Sequence, residues 1–164
     1  MKTTFFDAVA KARSFNDIKA SPELPAGAYE LMITKVDADA VLKFDFGDHP
    51  EGTPCVEIYF RPVAALDVDE DALAECENWK SKVVSLRLLD ADDALRLFDA
   101  KNNRGLLVDA GLSASDYERD DGIDLEGVFK DLKGRSVWGM IVHVPNKKNP
   151  DKPYVQLKKT AALG

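Results

Sequence analysis

The sequence predicts an all-β fold with minor α content: a five-stranded barrel with a helical segment between strands 3 and 4. Three observations carry this. Five segments alternate apolar and polar residues with the period of a half-buried strand. The period changes to 3.6 in one region, and that region lies between the third and fourth segments. Gly, Pro and Asn punctuation separates the segments, with no linker and no internal repeat dividing the chain.

Residues 1–20 read as an N-terminal arm or short helix, with Phe5, Phe6, Val9 and Ala12 at roughly helical spacing, and residues 21–164 as the folded domain. The first strand follows Pro25 and Gly27, where Tyr29, Leu31 and Ile33 alternate with Glu30, Met32 and Thr34. "FGDHPEGTP" is a loop by composition. The second strand lies in "CVEIYFRPVAAL", with Val56, Ile58 and Phe60 on one face and Glu57, Tyr59 and Arg61 on the other. "DVDEDALAECEN" is a solvated acidic loop or short helix. The third strand is "WKSKVVSLRLL", placing Lys80, Lys82, Val84 and Leu86 opposite Trp79, Ser81, Val83, Ser85 and Arg87. Helical spacing then begins behind an acidic start suited to a helix N-terminus. Its apolar faces, Leu95 with Phe98 and Leu107 with Ala110, flank a break at Asn102–Gly105. A short helix over "GIDLEGVFKDLKG" puts Leu125, Val128, Phe129 and Leu132 on one side and ends at Gly134. "RSVWGMIVHV" is the fourth strand, "PNKKNPDKP" a loop, and "YVQLKKTAA" the fifth strand. This order is that of the OB-fold, a small partly open barrel.

Composition narrows the function classes. The chain has 164 residues, 45% hydrophobic and 31% charged, as expected of a soluble globular protein. No apolar run approaches a membrane span, and Asp7, Lys11 and Arg13 occupy the place of a signal peptide's apolar core, so a cytoplasmic protein without membrane contact is expected. Cys55 and Cys76 read as isolated thiols, and His49 and His143 lack metal-ligand spacing. Asp67, Asp69 and Asp71 match the first ligands of an EF-hand loop, but Ala72 stands where Gly is needed and Asn78 where a bidentate Glu belongs. No tight calcium site is expected, and no other metal or cofactor. No nucleophile has a base and an orienting partner beside it, and no phosphate-binding Gly-rich loop exists, so the protein is expected not to be an enzyme.

Charge is unevenly placed. Lys and Arg number 22 against 29 Asp and Glu, a formal net charge of -7, yet Gly134–Gly164 alone carries +5. Its cations are Arg135, Lys147, Lys148, Lys152, Lys158 and Lys159, against Asp151 alone.

The pieces "LPAGAYELMITKV" (Leu24–Val36), "AGL" (Ala110–Leu112), "LKGRSVWGMIV" (Leu132–Val142) and the terminal "YVQLKKTAAL", in this order behind a Phe-containing arm, resemble a family of small proteins. That family comes from bacteriophage replication and recombination gene clusters and looks like single-stranded DNA-binding OB-fold proteins. The resemblance covers most of the chain. Two stretches depart from it: Asp67–Asn78 is insertion-like, and the C-terminus lacks the acidic tail that many replication-type single-strand binders use to recruit partners. The resemblance implies sequence-nonspecific binding of single-stranded DNA in the cytoplasm of a bacterial host, with phage replication or recombination proteins as further partners. A homo-oligomer stays open.

Single-strand binding needs cations for phosphates and aromatic faces for bases. The cationic candidates are Arg61, Lys80, Lys82, Arg87, Arg135, Lys147, Lys148, Lys152 and Lys158. Tyr59, Trp79 and Tyr154 are the stacking candidates, being on polar strand faces or beside basic residues, while Trp138 falls with Met140 and Val142 on what reads as the core face. Net acidity does not oppose this, because at a Debye length of about 8–10 Å local potential decides. A second reading makes the acidic stretches Asp67–Glu77, Asp90–Asp93 and Asp116–Glu126 the working face. The protein would then be an interaction module, nucleic-acid-mimicking, that binds a host or phage DNA-processing protein.

Overall fold

Long alternating segments dominate the architecture, which a computed structural model describes over residues 23–164. The arm or helix expected over residues 1–20 lies outside the described residues. Strands β1 (Gly27–Val41) and β2 (Pro54–Val68) pair antiparallel along their length, interrupted by β-bulges. Tyr29, Leu31 and Ile33 of β1 and Ile58 and Phe60 of β2 are fully buried, on the faces the alternation predicts. Gly27 has φ +146°, and a Cβ there would lie 2.5 Å from the Asp67 carbonyl oxygen. Only glycine lets the two backbones meet at this corner.

Helix α1 (Glu70–Glu75) occupies the acidic stretch, and its N-cap Asp69 accepts a hydrogen bond from the Ala72 amide at 3.0 Å. A 3-10 turn, Trp79–Ser81, then leads to β3 (Val84–Leu88), which pairs with β2. Here the sequence expectation is corrected. Trp79, Lys80 and Lys82 lie outside the strand, because the Trp79 ring packs on buried Tyr29, centroids 6.0 Å apart and tilted by 44°, and turns the chain away from the sheet.

Helix α2 (Ala91–Leu97) is capped by Asp90, whose carboxylate accepts from the Asp93 amide, and α3 (Leu106–Asp109) follows the expected break. Asn103 and Gly105 make that break with φ of +46° and +124°. Leu97 and Phe98 pack toward the core, whereas Leu95, expected there, is 56% exposed. A two-stranded hairpin that the sequence did not reveal, β4 (Glu118–Arg119) with β5 (Gly122–Ile123), precedes α4 (Leu125–Leu132). Strands β6 (Ser136–Val144) and β7 (Tyr154–Ala161) complete the chain.

The main sheet has five strands in the order β3-β2-β1-β6-β7, every neighbouring pair antiparallel. β1 sits at its centre: its first six residues, Gly27 to Met32, pair with β6 on one side while β2 pairs on the other. Leu106, Leu107, Val128 and Leu132 of the intervening helices join Leu31, Phe60, Ile141 and Leu157 in one buried cluster. Fully burying each such side chain contributes about 1.5–3 kcal/mol.

Two expectations change at this level. The sheet is not a closed barrel: β3 and β7 are its edges, and no ladder joins them. β3 is only five residues long, because the residues expected to extend it turn off into a 3-10 turn that packs Trp79, half-buried, against the core. Trp138 also faces the other way from the expected core side. Val137, Gly139 and Ile141 are the buried set on β6, and Trp138 lies half-buried on the outer face with Lys159 Nζ 5.7 Å from its ring centre. The thiols of Cys55 and Cys76 are both buried. Among the described residues no helix is long and apolar enough to cross a membrane.

Candidate nucleic-acid interface

The open edge of the sheet borders a basic concavity. Four antiparallel steps separate β3 from β7, so the two edges run in the same direction. Between them lies a crevice of about 320 Å³. Phe46 from the β1–β2 loop, Ser85 and Arg87 from β3, Arg96 from α2, and Gln156 and Lys158 from β7 all line it. A second crevice of about 480 Å³ continues from the first, sharing Leu86, Arg96, Leu157 and Lys158, and adds Arg104 and Lys159.

Local charge here opposes the net charge. The acids on these walls are committed to internal hydrogen bonds. The Asp93 carboxylate accepts from the Leu89 amide at 2.8 Å, and Asp109 accepts from the Thr160 hydroxyl at 2.6 Å. Asp99 accepts from the Asn102 amide side chain at 2.7 Å and pairs with Arg104 at 3.7 Å. Those bonds, the Asn102 side chain first, hold the Asp99 carboxyl below the usual carboxylate range. Arg96 and Lys158, by contrast, make no ion pair with any described residue. Arg87 is half committed, with its Nε 3.6 Å from Glu57 and its guanidinium 5.4 Å from the Phe44 ring centre.

Aromatic faces stand beside these cations. Phe44 and Phe46 are 50% and 48% exposed, a large apolar outlay for a surface loop. The loop that carries them is braced internally: Phe46 and His49 exchange backbone hydrogen bonds of 2.8 and 2.9 Å, and the Asp45 carboxylate accepts from the Glu51 amide. Tyr154, 55% exposed, begins β7 two residues before Gln156 and so shares its outward row.

The residues expected from sequence divide into groups. Arg87 and Lys158 come together in the crevice, although a register shift in β7 opposite Met140–Ile141 takes Lys158 out of strict alternation. Tyr59 is half-buried on the outer face beside Glu57, with Lys35 Nζ 5.7 Å from its ring, and burial, then Glu57, pushes its phenol up. Lys147, Lys148 and Lys152 are exposed on the β6–β7 loop, which Asn146 organises by accepting from the Lys148 amide and donating to the Lys152 carbonyl. Arg61 and Lys80 line a separate depression near the start of β3. Trp79 serves the core and carries Lys80 Nζ 5.4 Å from its ring, and Lys82 closes the same turn. Arg135 is exposed, and its guanidinium donates to the Ala110 carbonyl at 3.3 Å at the end of α3.

Sequence reasoning missed Phe44, Phe46, Arg96 and Arg104. For the two Phe a signal exists, since "KFDFG" places two aromatics in an otherwise polar, Gly-containing loop. Nothing local marks Arg96 and Arg104, which reach the crevices only through the folding of α2 and the segment before α3 against the sheet edge. Among the described residues, no three His, Cys, Asp or Glu side chains converge as a metal ion would need. No protein-family model and no curated protein matches the chain.

Proposed function

We propose that the protein binds single-stranded DNA without sequence preference, through an OB-type fold, in phage-type replication or recombination. It acts by binding and not by catalysis. One observation carries the reading: the crevice between β3 and β7 gathers Arg87, Arg96 and Lys158 next to exposed Phe46. OB-folds bind oligonucleotides on the face of their second and third strands and on the loops joining strands 1–2 and 4–5. Counted within the main sheet, β6 and β7 are strands 4 and 5. Phe44 and Phe46 are then on the first of those loops, Tyr59 and Arg87 on the face, and Lys147, Lys148 and Lys152 on the second loop. The helices between β3 and β6 also agree with that fold, and β3 and β7 are the pair whose meeting would close the barrel.

In this reading the cations track phosphates, and Phe44, Phe46 and Tyr154 stack bases at about 1–3 kcal/mol per base. No side chain reads a base edge, so sequence matters little. The test is a fluorescence anisotropy titration of labelled oligo-dT and oligo-dC at several salt concentrations, with duplex DNA as the comparison. The expected result is binding to both single strands, weaker for duplex, that declines with salt. Failure to bind oligo-dT at low salt, together with co-purification of a basic protein, would move the working face to the acidic stretches at Asp67–Glu77, Asp90–Asp93 and Asp116–Glu126.

A further inference from the structure

Among the described residues, the loop that carries Phe44 and Phe46 meets the rest of the molecule near its tip through one polar side-chain contact. His49 Nε2 lies 3.3 Å from Asp90 Oδ2, across 41 residues of sequence. Asp90 has a second task at its other oxygen, where it accepts the Asp93 amide at 3.0 Å and caps α2. α2 carries Arg96, and the loop carries Phe46, and both residues line the first crevice. His49 in turn exchanges both backbone hydrogen bonds with Phe46. A single carboxylate therefore joins the start of the basic wall to the residue bonded to the aromatic wall.

We infer that His49 and Asp90 form a clasp that positions Phe44 and Phe46 for base stacking by fixing the β1–β2 loop against α2. The inference rests on the single-strand-binding reading and adds two positioning residues to it. Neither touches DNA in this account. Without the clasp, the loop keeps its internal braces at Asp45–Glu51 and Phe46–His49 but loses its fixed distance from Arg96. The Arg87–Phe44 contact and buried Leu42 still hold it from the sheet side. Preorganised stacking faces bind better because less ordering is left to do on association.

Two variants separate the clasp from the cap. His49→Ala removes one partner and leaves α2 untouched. Asp90→Ser keeps a competent N-cap, since Ser ranks with Asp there, but is too short to reach His49. Both should weaken oligo-dT binding about fivefold to tenfold, a fraction of the stacking contributed by two aromatic rings. The salt dependence should stay that of the parent, because no phosphate contact is lost. In a Phe44→Ala/Phe46→Ala background, His49→Ala should have almost no further effect. A merely structural role would show instead as an additive loss and a lower melting temperature. Amide exchange in the free protein supplies a readout without DNA: the backbone amides at positions 46 and 49 should exchange faster in both variants. If exchange and affinity match the parent in both variants while the parent binds oligo-dT, the clasp is refuted and the binding reading stands. If exchange rises in both but the parent fails to bind oligo-dT, the contact exists and the positioning role falls with the binding reading.

Discussion

Reversing charge in the crevice should damage single-strand binding in a way that salt reveals. The perturbation is Arg96→Glu with Lys158→Glu, two exposed residues without an ion-pair partner among the described residues. Six cations are available: Arg87, Arg96 and Lys158 in the crevice, and Lys147, Lys148 and Lys152 on the β6–β7 loop. At about -0.7 in log affinity per log salt for each contact, the parent slope is about -4. Removing two contacts should flatten it by about 1.4 and, relative to 1 M salt where this contribution vanishes, weaken binding about 25-fold at 0.1 M. Introduced carboxylates repel phosphate and add to that loss. Glu at position 96, in the last turn of α2, costs stability by only about 0.3–1 kcal/mol, so thermal unfolding should shift little and separates misfolding from lost contacts. The loop pair Lys147→Glu/Lys148→Glu should flatten the slope by a similar amount, because it also removes two contacts. The assay is anisotropy with oligo-dT from 50 to 400 mM salt. A crevice variant that matches the parent in both affinity and slope, while the loop variant does not, would place the phosphates on the hairpin alone.

Three further outcomes follow from the same geometry. A Cβ on Gly139 would lie 2.3 Å from Leu31 Cδ1 and 3.1 Å from Leu157 Cδ1, so Gly139→Val should destabilise by at least about 1–3 kcal/mol in denaturant unfolding. Burial, and then the nearby Cys76, pushes the Tyr29 phenol up to about 12, while its hydroxyl donates to the Pro25 carbonyl at 2.6 Å. Stability should therefore fall as pH rises from about 10, where the unfolded phenol ionises, toward 12; Tyr29→Phe should make that decline shallower, leaving the part that the raised Tyr59 and Tyr117 phenols contribute, and cost about 1–3 kcal/mol at neutral pH. Carbon-detected NMR titration should find Asp90, held low first by the Asp93 amide, and Asp99, held low first by Asn102, protonating below ordinary aspartates, so their stabilising effect is present at neutral pH and lost as pH falls through those lowered values.

Strand alternation was legible because burial on one face of a sheet imposes a period of two, and Tyr29, Leu31, Ile33, Ile58 and Phe60 obey it. The same rule misled at Trp138. Alternation fixes which residues share a face but not which face is inside, and on β6 that was decided by Gly139, whose missing side chain admits Leu31. It failed again at Trp79, which lies in a 3-10 turn before β3 with its ring against Tyr29. The edges of β3 and β7 share no ladder, and the crevice between them is where Arg87, Arg96 and Lys158 converge. The positive charge gathered at the end of the chain, read from sequence as a hairpin feature, thus splits in space. Lys147, Lys148 and Lys152 stay on the loop, while Lys158 and Lys159 join arginines from β3, α2 and the segment before α3. Sequence position could not reveal that partnership, because it depends on how the sheet curls and on how helix α2 lies along the open edge. An acidic chain can therefore hold a basic path where cations outnumber carboxylates locally, as Arg87, Arg96, Arg104, Lys158 and Lys159 outnumber Asp93, Asp99 and Asp109.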